Sequence, residues 1–336
     1  MQRLHVGADD EPGALRYLSP LQRSWATGLA GCHAQKRVLV ARHRETVGGQ
    51  LAYVAFSRRF GIVPPIVEAR RISCAMPAEI LTALLESLLE HAGAVRRVYL
   101  SFDLGVGRHA DSLPHEVATL LATHGFAPTA RRAPMHTRVV PLDAPVDVGA
   151  PAWKGVRRPL RALARFPVIV RPIVDEALAD RMCEIKRHTY ERRVGSMPPL
   201  DYRAMIRAAA RHPGRVHVVG CFRTDRDGPE SLVAWDCATF NGVVGTSEHG
   251  ARADVRIDDH ALPSGDWALM ACIRWAQEQG AVAFDLGGVT DADAPDFGHV
   301  KGINEFKARF GGDIVRGLEQ EFVTRTVFDG MLSRLR

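Results

Sequence analysis

The sequence predicts an α/β fold made of two similar domains, roughly residues 1–145 and 146–336. Three observations support this. The chain has 336 residues, more than one hydrophobic core usually organises. Apolar, strand-like runs alternate with segments whose apolar residues recur at helical spacing. Two stretches also match: Ser101-Phe102-Asp103-Leu104-Gly105-Val106 and Ala283-Phe284-Asp285-Leu286-Gly287-Gly288-Val289, which lie 182 residues apart. Each is preceded by a helical segment ending in Gly-Ala (Gly93-Ala94, Gly280-Ala281). Each is followed by a helix closed by a glycine beside Phe126 or Phe310. Self-similarity at a fixed offset marks a duplicated unit.

Taken in order, residues 1–18 are a polar lead-in and 21–33 a helix carrying Gln22 and Trp25. Strands at 36–42 and 50–56 flank a glycine turn at 46–49 and form a hairpin. A loop with a Pro-Pro stop follows at 60–65. Ile80, Leu81, Leu84, Leu85, Leu88 and Leu89 define an amphipathic helix over Ala78–Ala92. A strand at 95–104, a helix at 113–124 and a strand at 138–142 complete the first half. The second half opens with a basic helix at 153–166, which Pro159 should start or kink. A strand at Val168–Pro172, helices at 175–193 and 201–211, strands at 215–223, 231–240 and 242–249, and a helix at 266–279 follow. The chain then reaches a buried strand at 281–286 that opens into a Gly287-Gly288 turn. A polar loop at 290–298 leads to a helix at 300–309, closed by Gly311-Gly312 as a C-cap, and then to a strand at 314–323.

Apolar residues make up 46% of the chain and charged residues 24%, which is a globular composition and not a disordered one. No apolar run approaches the roughly 18–20 residues that span a bilayer, and the polar start has no signal-peptide core. Cys32, Cys74, Cys183, Cys221, Cys237 and Cys272 are scattered, without C-x-x-C or paired-His spacing. They read as reduced thiols of a cytoplasmic protein, neither a disulfide frame nor a metal site. The net charge of +6 and the basic isoelectric point near 9.2 admit a polyanionic partner without requiring one. A single two-domain monomer would suffice. The chain has no G-x-S-x-G, H-E-x-x-H or G-x-x-x-x-G-K-[ST] signature.

The run Phe284-Asp285-Leu286-Gly287-Gly288-Val289, then a loop, then Gly302-Ile303-x-x-Phe306-Lys307-x-x-Phe310-Gly311-Gly312 closely resembles the FemABX family. Those enzymes move an amino acid from aminoacyl-tRNA to the amine of a peptidyl acceptor. The resemblance implies two tandem acetyltransferase-like (GNAT-type) domains with mixed central sheets. It also implies aminoacyl-tRNA and a peptidyl amine as partners, with no separate cofactor and no metal. In this chemistry an amine attacks an ester that is already activated, so no covalent nucleophile is needed. A fixed cation can stabilise the oxyanion, a carboxylate can take the proton, and holding both reactants together supplies much of the rest.

Carried over residue by residue, the resemblance places Lys307 on the lysine implicated at the oxyanion. Phe306 is the aromatic beside it, in a cation–π or positioning role. Asp103 falls on an acid at the end of the first-domain strand, as base or amine contact. Arg192, or Arg193 if the helix phase differs, falls on an arginine that contacts substrate phosphate. Trp25 and Asp285 complete the substrate-binding candidates, Asp285 also reading as an acid bonded to its own turn amides. Arg157, Arg158 and Arg161 on the basic helix are candidates for tRNA phosphate. The chain departs from the family at several points. Leu104 replaces a frequent proline, Pro159 and Leu160 alter the basic segment, and residues 26–35 hold no lysine for a diphosphate clamp. No coiled-coil insertion is present. A peptide natural product is therefore an alternative acceptor to a peptidoglycan-precursor peptide. An acyl-CoA- or carrier-dependent N-acyltransferase is the alternative activity, although His249-Gly250-Ala251-Arg252-Ala253 lacks the spacing of a pyrophosphate-binding glycine loop. A non-catalytic binding module, with Lys307 an ordinary helix lysine, is the third possibility.

Overall fold

The structure is a computed structural model that describes residues 5–8, 32–43, 46–58, 66–73, 76–92, 97–103, 113–128, 136–191, 200–289, 301–316 and 318–323. The chain divides into two compact units. The first holds β1 (His5–Ala8), β2 (Cys32–His43), β3 (Thr46–Arg58), β4 (Ile66–Ser73), α1 (Ala78–Ala92), β5 (Arg97–Asp103), α2 (His115–Thr123) and β6 (Ala127–Pro128). The second begins with β7 (His136–Pro141), α3 (Lys154–Ala162), β8 (Val168–Pro172), α4 (Ala179–Glu191), α5 (Tyr202–Arg211), β9 (Val216–Arg223), β10 (Leu232–Phe240) and β11 (Val244–Arg252). It continues through β12 (Arg256–Ile257), β13 (His260–Ala261), α6 (Ser264–Glu278), β14 (Ala283–Val289), α7 (Lys301–Ala308) and β15 (Asp313–Arg316). The last strand, β16 (Leu318–Val323), belongs to the first unit.

Each unit is built on a seven-stranded mixed sheet. The orders are β1-β2-β3-β4-β5-β16-β6 and β8-β9-β10-β11-β14-β7-β15. They coincide strand for strand. In each, one neighbouring pair is parallel (β4 with β5, β11 with β14), and every other pair is antiparallel. The parallel pair needs a crossover helix, supplied by α1 in one unit and α6 in the other. The matching stretches of the sequence are β5 and β14, the second strands of these pairs.

The sheets do not follow a linear division at residue 145. Strand β7 precedes that point but lies between β14 and β15, whereas β16 closes the chain between β5 and β6. The single strand expected over 314–323 is therefore two strands in different sheets. β15 pairs with β7, and β16 pairs with β5. The glycines expected to turn the first hairpin lie inside β3 instead. β2 and β3 already pair at His43↔Thr46, and the register slips opposite Ala41/Arg42, so the glycines mark a bulge. β4 was not expected, because Glu68, Arg70 and Arg71 interrupt its apolar run; Val67, Ala69 and Ile72 are nonetheless buried. The helix expected over 21–33 lies outside the described residues except for Cys32 and His33, which are strand. Pro159 neither starts α3 nor ends it: the helix begins five residues earlier and runs through it.

Periodicity locates the cores. Leu81, Leu84, Leu85 and Leu88 of α1 are wholly buried against Leu39, Leu51, Leu100 and Phe102 of the first sheet. In the second unit every residue of β10 is buried, as befits a central strand covered on both faces. One face packs α6, with Trp267, Leu269 and Ile273, together with Phe284 and Phe310. The other packs Met182 and Ile185 of α4 and Met205 and Ile206 of α5. Asp201 caps α5, its carboxylate accepting from the Ala204 N–H at 2.8 Å.

Candidate active site

In the second sheet the parallel strands β11 and β14 pair over only three positions, Val244↔Ala283, Gly245↔Phe284 and Thr246↔Asp285. Beyond Asp285 both strands run on without pairing to each other. Both are irregular at this point on their other edges as well. β14 slips against β7 between Asp285 and Gly288, and β11 slips against β10 opposite Cys237/Ala238. Bulges of this kind re-aim side chains and often lie beside active sites.

Gly287 sits in this break with φ +80°, a left-handed conformation that glycine adopts without cost. A Cβ built on it would lie 3.4 Å from both Lys307 Nζ and the Ser247 carbonyl oxygen. The Asp285 carboxylate holds the turn, its Oδ1 accepting from the Gly287 N–H at 2.7 Å and from Thr137 Oγ1 of β7. Lys307, half-buried near the end of α7, donates from Nζ to the Gly288 carbonyl at 2.6 Å. The ammonium thus stands at the point where β11 and β14 part. Arg138 of β7 donates to the Gly312 carbonyl at 2.7 Å and bonds that of Gly311, just past α7.

Phe306 packs its ring on the α6 core and meets Phe310 edge-on at 5.4 Å. The cation over its face is Arg309, 5.1 Å from the ring centre, and not Lys307. Consecutive helix residues point about 100° apart, whereas residues three apart share a face. Arg309 in turn pairs with Asp266 at 3.1 Å, in the first turn of α6. Burial holds the Asp266 carboxyl above the usual range, against the pull of Arg309 and Arg252.

The basic helix α3 divides its arginines. Arg157 is spent on the chain itself, donating to the carbonyls of Val148 at 3.0 Å, Gly149, and Ala150 at 3.0 Å. Lys154, Arg158 and Arg161 are exposed and share one helical face through their spacing of four and three. Asp103 ends β5 in the first unit, opposite Ser73 of β4. Trp25, Arg192 and Arg193 lie outside the described residues.

Sequence reasoning missed a buried charged group on the central strands. Lys186 of α4 donates to the Gly250 carbonyl at 2.7 Å, with its ammonium 5.3 Å from the Tyr190 ring centre and 5.6 Å from that of Trp235. Asp236 of β10 lies opposite Gly250, accepting from Ser247 Oγ at 3.2 Å. The titratable groups around it are Lys186, Cys221, Cys237 and Cys272. Burial pushes the Asp236 carboxyl up to about 7 and the Lys186 ammonium down to about 8. The only signal was an acid within the apolar run Leu232-Val233-Ala234-Trp235-Asp236.

The folded protein holds the Asp236 proton more tightly than the unfolded chain does. Its contribution to stability is complete below the ordinary carboxylate range and is lost as pH rises through about 7. Lys186, pushed down, opposes folding in full below about 8, and that opposition fades as pH rises from there to the ordinary lysine range. Thermal stability compared at pH 5 and pH 7.5 should therefore fall more in the wild type than in Asp236→Asn. Equal falls would remove Asp236 as the cause.

The second unit thus has the layered mixed sheet of an acetyltransferase-type domain, with a short parallel pair whose strands part beside a lysine. Residues 152–307 match the acetyltransferase (GNAT) domain family. FemX matches the chain with a TM-score of 0.66 and 16% identity over 96% of each chain, so the FemABX-like fold runs through both units. The structure of L-PGS from Bacillus licheniformis is similar at a TM-score of 0.55 and 12% identity, covering 83% of this chain and 84% of that one. A C-terminal DUF2156 domain assigned to a lysylphosphatidylglycerol synthetase of Agrobacterium fabrum follows at 0.51 and 13%, covering 84% of each. No curated protein sequence matches the chain. Among the described residues no helix is long and apolar enough to cross a membrane, and no group of acids, histidines and cysteines is arranged to hold a metal ion.

Proposed function

We propose that the chain is an aminoacyltransferase that moves an amino acid from aminoacyl-tRNA to the amine of a peptidyl acceptor, forming a peptide bond. The observation that carries this reading is the Lys307 ammonium, fixed on the Gly288 carbonyl where β11 and β14 part. The acceptor nitrogen attacks the ester carbon, the C–O bond to the tRNA ribose breaks, and the amine proton passes to the leaving hydroxyl. Lys307 faces the charge that develops on the carbonyl oxygen. Phe306 and Arg309 fix the helix that carries it. The fold shared with FemX supports this class of transfer, and Lys154, Arg158 and Arg161 supply a stripe of cations suited to an RNA backbone.

The alternative, acyl-CoA as donor, is disfavoured by the start of α6. A pyrophosphate seeks the N–H groups of such a helix end, and here the Asp266 carboxylate occupies the first turn. The connection from β11 is taken by the β12–β13 hairpin, not by a glycine loop.

Transfer of labelled amino acid to a peptide acceptor should be abolished by ribonuclease and absent with acetyl-CoA. Replacing Arg158 and Arg161 together by alanine should raise KM for charged tRNA, leave kcat nearly unchanged and flatten the salt dependence by about two phosphate contacts. Acetyl-CoA turnover without tRNA would favour the alternative.

A further inference from the structure

The turn that seats Lys307 is held from a strand that touches none of the reacting atoms proposed above. β7 lies beside β14, and between Asp285↔Val139 and Gly288↔Thr137 the β14 side has two residues where β7 has only Arg138. That extra residue produces the bulge. Thr137, at its far end, sends its hydroxyl back to Asp285 Oδ1, the same oxygen that takes the Gly287 N–H. The next carbonyl, Gly288, is the Lys307 anchor. Arg138 meanwhile bonds the carbonyls of Gly311 and Gly312 just past the helix that carries Lys307. One strand therefore fixes both the anchor of the ammonium and the end of its helix.

We propose that Thr137 and Asp285 are positioning residues for Lys307: the Thr137 hydroxyl orients the Asp285 carboxylate, which locks the Gly287 turn so that the Gly288 carbonyl points at the ammonium. This rests on the reading of Lys307 as the cation at the oxyanion, but its geometry can be tested apart from transfer. A side chain that only filled space at 137 would be replaced by valine without consequence, since valine keeps the shape and lacks the donor.

The test is competitive trace labelling of the full chain with acetic anhydride. Lys307 is read by peptide mass spectrometry against the exposed Lys154 of α3, with melting followed in parallel. Thr137→Val and Asp285→Asn should each raise Lys307 labelling about five-fold, the ratio that loss of about 1 kcal/mol of hydrogen bonding corresponds to. Lys154 labelling should not change, and Thr137→Ser should restore the wild-type value. In the transfer assay the same variants should lower kcat and leave KM for charged tRNA unchanged. Unchanged Lys307 labelling in both folded variants would overturn the inference whatever the transfer assay gives. If one variant fails to fold, the other decides. Collapse of both would assign the pair to stability alone and also overturn it. Shifted labelling in a protein that transfers nothing would instead sink the reading of the activity and leave the positioning intact.

Discussion

Lys307→Ala is expected to lower kcat for aminoacyl transfer by about 100- to 1000-fold, equivalent to about 3–4 kcal/mol, the range seen when one oxyanion donor is removed. The melting temperature should fall by only about 2–4 °C. Lys307 is half-buried, and its bond to the Gly288 carbonyl contributes on the order of 1 kcal/mol to folding. That contrast distinguishes a reacting cation from a packing lysine. Lys307→Arg should recover only part of the rate, because a planar, delocalised guanidinium does not reproduce the compact point charge that the ammonium places on the Gly288 carbonyl. Steady-state kinetics with saturating charged tRNA, alongside thermal melting, checks both statements. A full-rate Lys307→Ala enzyme would leave the site without its central residue.

The largest effect on stability is expected at Gly312. Its φ is +76°, and a Cβ there would lie 2.3 Å from the Val139 carbonyl oxygen and 2.8 Å from the Val139 carbonyl carbon. These are backbone atoms of β7 and cannot swing aside. Gly312→Ala therefore combines the left-handed penalty of about 1–2 kcal/mol with overpacking of about 1–3 kcal/mol. At about 2–4 °C per kcal/mol for a unit of this size, melting should drop by roughly 4–20 °C. The Gly312 carbonyl accepts from Arg138, so any shift that relieves the clash also disturbs the end of α7. Gly302→Ala, with open space at its Cβ, is the control and should melt near the wild type. Circular dichroism would show the difference, and equal melting of the two variants would contradict the packing described.

Much of this fold was legible because the duplicated strand carries its own punctuation. Phe-Asp-Leu-Gly closes a buried run in both halves, and β5 and β14 occupy equivalent places in sheets of identical order. The leucine spacing of α1 and the glycine pair that closes α7 needed no tertiary information. The exchange of β7 and β16 was not legible. Hydrophobic alternation marks a strand but not the sheet that receives it, and residues 314–323 read as one run although Gly317 stands between β15 and β16. The same limit applied on α3. Spacing shows that Arg157 is basic, but only the fold shows it turned onto the carbonyls at 148–150 while Arg158 and Arg161 face outward. At Phe306 the nearest cation in sequence was the wrong one, because adjacency along a helix is not adjacency in space. Lys186 and Asp236 were hidden for another reason. A buried charge is expensive and therefore rare, so pattern reading passes over Asp236 in its apolar run and takes Lys186, beside Glu184, Arg187 and His188, for a surface residue.

Product mass distinguishes aminoacyl transfer at Lys307 from every other reading of the site. The purified chain would be incubated with a panel of charged tRNAs and a peptide with a free amine, and the peptide then weighed by mass spectrometry. With the wild type the peptide should gain one amino-acid residue, a gain that requires intact charged tRNA and is lost over the same incubation in Lys307→Ala. A gain of an acetyl group from acetyl-CoA alone, or the same amino-acid gain with Lys307 replaced, would contradict that reading.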